Sequence, residues 1–175
     1  MKHVRAGLGI AAVSGIALLA ALASPVAFAA DDSATYTVRL LTPETALKAA
    51  QAALAKCRDE GFQVTVAIVD RTGITQVVLR DRFAAPHTVD TAQRKAWTAV
   101  NFRLNTANLD REMQPGKPTG GLRNLPNVVA VAGGLVIEAQ GNLVGGIGVS
   151  GAPGPPNDDI CAAEGVRAIA DSLEF

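Results

Sequence analysis

L-V-I-E-A-Q-G-N-L-V-G-G-I-G-V-S, Leu135 to Ser150, is two apolar runs joined by a Gln140-Gly141-Asn142 turn. Short apolar runs bounded by turn residues read as strands, and two of them about such a turn read as a hairpin. With Val128 to Ala132 just upstream, the segment predicts a three-stranded antiparallel meander. Glycines 133, 134, 145, 146 and 148 are costly in a plain strand, so they mark bulges or places where a ligand or another backbone comes close.

Upstream, Gln63 to Asp70 alternates Val64, Val66 and Ile68 against Thr65, Ala67 and Val69, and a second run, Ile74 to Arg80, follows Arg71-Thr72-Gly73. That pattern predicts another hairpin. Helices are expected around it. Thr42-Pro43-Glu44 supplies an N-cap hydroxyl, a proline for the first helical position and a carboxylate at the positive end of the dipole. Leu47, Ala50, Leu54 and Cys57 then recur at helical spacing up to a stop at Gly61. Thr88 to Arg103 is a second helix with Val89, Ala92, Ala96, Ala99 and Val100 on one face, and a short third runs from about Thr106 to Met113. Pro115 to Gly121 is a loop, and Gly116-Lys117-Pro118 excludes a phosphate loop, which needs Ser or Thr after the lysine. Asn157-Asp158-Asp159 is expected to cap a last helix reaching Leu173. The fold class is α/β: a central, mainly antiparallel five-stranded sheet flanked by helices, with Tyr36 to Leu40 as a further short strand before it.

Residues 1–29 read as a secretory signal peptide, with Lys2, His3 and Arg5 before an uncharged run from Ala6 to Ala23 and an Ala27-Phe28-Ala29 cleavage site. The run is also long enough for a membrane anchor, but its Gly and Ala content and the A-x-A site favour cleavage, which leaves no stable membrane insertion. The expected product is exported, to a periplasm or the medium, with residues 30–40 as an N-terminal extension and 41–175 as one domain. Loss of Lys2 and Arg5 from 16 basic residues, against 16 acidic, leaves a formal charge of −2 with no basic cluster beyond Arg94-Lys95. Nucleic-acid binding is not expected on those grounds. Cys57 and Cys161 would lie in an oxidising compartment, either as a disulfide or as two buried thiols; without C-x-x-C and with one retained histidine, structural zinc is not expected.

Since His3 falls in the leader, His87 is the one imidazole of the exported chain. It is the first candidate for a metal ligand or a base near neutral pH, against capping of the following helix or contact with a neighbouring subunit as its plain role. Asp90, three residues on, would either orient that imidazole or belong to the helix start, the latter being favoured. Lys95 is the candidate cation for a ligand carboxylate, against a solvated helix face as its plain role. Gly146 and Gly148 lie in the stretch Gly145 to Gly151, whose amides are candidates for an anion site beside the last helix, against tight packing as the plain role. Ser150 lacks a nucleophile-elbow motif, so a hydrolase built from Ser150, His87 and Asp70 or Asp90 has the residue types without the pattern. Trp97 and Phe102 read as core or interface.

Several of these stretches together resemble a known family. V-D-R-T-G at Val69 to Gly73, H-T-V-D-T-A and K-A-W-T-A within His87 to Ala99, Gly133-Gly134, G-G-I-G-V-S-G at Gly145 to Gly151 and the later Asp158-Asp159 are similar to the HbpS and GlcG family, also called domain of unknown function 336 or the heme-degrading domain. The resemblance runs from about Leu41 to Leu173. It implies a profilin-like fold, homo-oligomers up to octamers and, in some members, binding or slow oxidative degradation of heme; related domains occur fused to cobalamin adenosyltransferases. Heme needs an axial ligand, an apolar slot and donors for its propionates. His87 is then the candidate iron ligand, with Met113 and Tyr36 behind it, and Asp90, Lys95, Gly146 and Gly148 complete the candidate site. The leading expectation is an exported protein that sequesters, buffers or senses heme. Degradation is a separate claim, because iron and reductant destroy bound heme without a dedicated active site. The alternatives are a small-organic-acid-binding accessory protein of an exported oxidation pathway and a structural oligomer without a tight ligand.

Overall fold

The computed structural model describes residues 34–174. The expected signal peptide, 1–29, and the first residues of the extension lie outside the described residues. No helix among the described residues is long and apolar enough to cross a membrane.

The domain from Thr37 onward is a four-stranded antiparallel sheet with helices on both faces. Its elements in order are α1 (Pro43–Asp59), β1 (Thr65–Asp70), β2 (Thr75–Arg80), α2 (His87–Phe102), α3 (Thr106–Glu112), β3 (Gly134–Ala139), β4 (Asn142–Ser150) and α4 (Pro155–Arg167). Across the sheet the order is β2-β1-β4-β3, so the two expected hairpins join through β1 and β4. Both central strands are buried on both faces, which explains their continuous apolar character.

The two faces use different residues. Val66, Ile68, Ile147 and Val149 pack against α1 and α4 in the main core, beside Ala49, Ala53 and Ala162. Val69 meets Ala96 and Val100 of α2 on the other face. There the helix presents alanines to a strand of glycines, and the approach is very close: a Cβ on Gly148 would lie 2.0 Å from the Ala92 carbonyl oxygen. On the first face Gly165 of α4 permits the same closeness to α1, where an added Cβ would sit 2.8 Å from the Ala49 carbonyl oxygen.

Helix starts follow the sequence in one case and depart from it in another. Thr42 caps α1, its Oγ1 accepting from Thr45 N at 3.2 Å, with Pro43 at the first position. The buried face of α1 is Ala46, Ala49, Ala50, Ala53, Leu54 and Cys57; Leu47 points outward. At α4 the cap is Gly154, and the helix starts two residues before the expected Asn157-Asp158-Asp159 cap, at Pro155-Pro156, and ends at Arg167. Asp158 thus falls in the first turn with Asp159 directly after it, and both bond to other elements.

The sheet has four strands where five were expected, because Val128 to Ala132 does not pair. Asn127 turns the chain with φ 69°, the Val129 amide donates to Thr98 Oγ1 of α2 at 2.9 Å, and the Gly133 amide to Asp159 Oδ1 of α4 at 2.7 Å. Side chains from two helices take the amides a ladder would need. Tyr36 to Leu40 likewise forms no strand of the sheet.

Cys57 and Cys161 form a disulfide with Cα atoms 5.5 Å apart, tying α1 to α4 across 104 residues of sequence. Both thiols are thereby used, the disulfide alternative of the two. Replacing both cysteines by alanine is expected to lower stability by about 2–4 kcal/mol, since the loop closed is long. Urea denaturation of the oxidised protein and the double variant checks this; equal midpoints would contradict it.

Candidate functional site

The main cavity, about 530 Å³, opens where the C-terminal end of β4 meets the start of α2 and the first turn of α4. That volume lies in the range of small-molecule sites. His87, Lys95 and Asp158 contribute the ionisable side chains, Phe62 and Phe83 the aromatic ones, and Ser150 to Pro155 one wall.

His87 is the first residue of α2 and is exposed. Its place is set by its neighbour: Thr88 is buried, shares a 2.7 Å hydrogen bond with Thr65 of β1 and donates to the Ala85 carbonyl at 2.6 Å. The imidazole caps nothing, the cap position being Pro86 with no side-chain bond. No described side chain hydrogen-bonds it. Asp90 does not orient it; that carboxylate is exposed in the first turn and faces Arg94 at 3.4 Å. The helix-start role expected for Asp90 is the one its position fits.

Lys95 is not on a solvated face. It is buried, and its Nζ donates to Asp158 Oδ2 at 2.8 Å and to the Val149 carbonyl at 3.0 Å. Asp158 also accepts from the Ala152 amide at 3.0 Å, so this pair joins α2, β4 and the wall loop at the cavity floor. Burial pushes the Asp158 carboxyl above its usual range, while the charge and hydrogen bond of Lys95 pull it back. A lysine whose charge is met in this way is not free to neutralise a ligand carboxylate. The helical period held the clue, since Lys95 falls at i+3 from Ala92 and i−4 from Ala99 on the buried alanine face.

Gly146 and Gly148 lie outside the cavity. Gly146 is opposite Val69 and Val136, and Gly148 opposite Ala67 and Gly134, so their backbones belong to the sheet ladders. Their Cα atoms are covered by α2. Close packing, not ligand binding, is what these glycines permit. The helix beside them offers no amide cradle either, because Pro155 and Pro156 have no N–H to donate. An anion site at this stretch therefore lacks the two amides that would open the helix.

Other candidates fall away on placement. Met113 is buried with Leu109 and Ala130 in a separate small cluster, and Tyr36 is exposed. Ser150 lines the cavity without a hydrogen bond to any carboxylate or imidazole. Asp70 is spent on its own turn, accepting from the Thr72 hydroxyl at 2.6 Å and the Thr72 and Ile74 amides. Partial burial pushes its carboxyl up, but these donors outweigh that and hold it below the usual range. No nucleophile–base pair is assembled. Trp97 is half-buried over Gly73, and Phe102 packs on the Met113 cluster, as structural residues. Among the described residues no three His, Cys, Asp or Glu side chains converge as a metal site.

A porphyrin can be tested against these residues. The cavity supplies one imidazole at its rim and two phenylalanine rings as apolar walls, which suit an axially ligated flat macrocycle. The expected propionate cation, Lys95, does not suit, being neutralised by Asp158.

Known proteins place the chain further. Residues 41–167 match the family model described as "Haem degrading protein HbpS-like". The solved HbpS structure superposes with a TM-score of 0.74 at 37% identity, covering 81% of this chain and 98% of that one. A structure described as a PduOC:heme complex superposes with a TM-score of 0.71 at 31% identity over 74% of this chain and 95% of that one. The corrinoid adenosyltransferase PduO of Citrobacter freundii is 34% identical over 116 residues, 65% of this chain but only 34% of the enzyme's own length. The fold, the ordered motifs and these matches agree, and the chain belongs to the HbpS-like family.

Proposed function

We propose that this protein binds heme outside the cytoplasm, where it sequesters, buffers or senses it, with His87 as the iron ligand. One observation carries the reading: the one imidazole among the described residues is exposed and lines the main cavity together with Phe62 and Phe83. A family relative solved as a heme complex supports it. Export is supported by the leader-like residues 1–29 and by the Cys57–Cys161 disulfide, which persists in oxidising compartments. Assembly into a homo-oligomer of up to eight subunits belongs to the same proposal. Bound heme would supply a redox-active iron; the chain's part is to hold it through His87 and to shield one face with Phe62 and Phe83.

The test is a hemin titration of the protein without residues 1–29 and of its His87→Ala variant, followed in the Soret and visible bands, with albumin as the control for nonspecific uptake. Saturable binding of one heme per chain is expected, with altered ligation and affinity about tenfold or more lower in the variant. Absence of saturable binding would overturn the heme reading. An unchanged spectrum in His87→Ala would overturn the ligand assignment alone.

A further inference from the structure

The cavity needs a cation for any ligand carboxylate, and the basic side chains around it are mostly committed. Lys95 is held by Asp158, Arg58 by the buried Asp81, and Arg80 by the Ala84 carbonyl. Arg82 is the exception. The ion pairs of the described residues leave it without a carboxylate, and its guanidinium carbon sits 5.8 Å from the centre of the Phe83 ring. Phe83 in turn lines the cavity with 78% of its surface exposed.

An exposed aromatic ring on a loose loop would say little. This one is on a braced strap. Between β2 and α2 the Asp81 amide donates to the Val64 carbonyl at 3.0 Å, the Ala84 amide to the Asp81 carbonyl at 3.1 Å, and Ala84 is buried. Arg58 and Arg80 pin the same turn from two sides. The strap therefore presents an exposed, cavity-lining ring with the guanidinium of Arg82 over it and no carboxylate on that guanidinium, four and five residues before His87.

We propose that Arg82 and Phe83 form a clamp that selects porphyrins carrying free carboxylates: Phe83 stacks on the macrocycle and Arg82 pairs with a propionate. This rests on the heme reading and deepens it. Arginine is suited to both tasks, since it binds carboxylate through paired N–H groups and lies well on an aromatic face. A corrinoid, whose peripheral acetate and propionate groups are capped as uncharged amides, gives the guanidinium no carboxylate. The clamp thus favours heme over a corrinoid although both are tetrapyrrole macrocycles.

Iron-free probes isolate the clamp from His87. Protoporphyrin IX and its dimethyl ester share one macrocycle and differ in whether the propionates are ionised or capped as neutral methyl esters, and binding of each is read by porphyrin fluorescence in wild type, Arg82→Gln and Phe83→Ala, with circular dichroism as a control for folding. Wild type is expected to prefer the diacid by about tenfold, and less so at high salt. Arg82→Gln should erase the preference by weakening the diacid alone, and Phe83→Ala should weaken both probes alike. Equal wild-type affinity for the two, or a preference that survives Arg82→Gln, would overturn the clamp. So would an unchanged affinity in Phe83→Ala accompanied by a changed subunit number, which would make the ring an assembly contact. If hemin binds saturably while the preference is absent, the clamp fails and the heme reading stands; if neither hemin nor the diacid binds, both fail.

Discussion

Gly148→Val is expected to destroy the fold, lowering stability by more than about 4 kcal/mol or leaving no cooperative unfolding transition. Gly148 lies in a central strand, and the atoms a Cβ would meet are the Ala92 carbonyl oxygen at 2.0 Å and the Ala96 amide nitrogen at 2.7 Å. Both belong to the backbone of α2, so no rotamer change relieves the clash. The helix would have to lift from the sheet, taking Ala96 and Val100 out of contact with Val69 and breaking the burial of Lys95. Gly121→Ala is the matching control, since nothing lies within 4 Å of its added Cβ, and it should change stability by less than about 0.5 kcal/mol. Urea denaturation followed by circular dichroism decides the matter. A stable Gly148→Val protein would contradict the close packing and reopen a ligand role for the glycines.

Lys95→Met is the second large effect, an expected loss of about 3–5 kcal/mol at neutral pH. The cost comes less from the lost attraction than from the Asp158 carboxylate left buried without its cation. Two consequences follow from that cause. Burial already raises the Asp158 pKa, and without Lys95 nothing but the Ala152 amide opposes the rise. A carboxyl whose folded-state pKa is raised above its unfolded value favours the folded state at low pH, and loses that contribution as pH rises through the folded-state value. The variant's deficit should therefore shrink on acidification toward the unfolded carboxyl pKa and widen again toward neutrality. Adding Asp158→Asn, which keeps an acceptor for the Ala152 amide while removing the charge, should restore at least half of the loss at neutral pH. Chemical denaturation of the two single variants and the double across pH measures both. A deficit independent of pH, or one unrelieved in the double variant, would place the role of Lys95 in packing its aliphatic stem.

Local patterns carried much of the fold because their physics is local. Thr42-Pro43-Glu44 starts a helix through its own hydroxyl and ring, and the alternation from Val64 to Val69 makes a strand wherever it is placed. The glycine-rich run from Gly145 to Gly148 was legible as a place of close approach, but not as to what approaches. A glycine reports absent volume, and both a ligand and a helix can fill it. The lost strand at Val128 to Ala132 has the opposite origin. Its composition suits a strand, yet Thr98 of α2 takes its Val129 amide, Thr106 of α3 donates to its Val131 carbonyl, and Asp159 of α4 takes the amide of Gly133 just after it.

The chain's own pattern established an α/β domain with two hairpins and helices at Thr42 and Thr88, the second headed by His87, since each follows from spacing within a few residues. Tertiary structure alone decided that β1 and β4 lie side by side, that Cys57 meets Cys161, and that Lys95 spends its charge on Asp158 while Arg82 keeps its own. Those outcomes depend on which distant groups share a low-dielectric interior, where an unpaired charge or amide is too costly to keep; no spacing along the chain encodes that distance.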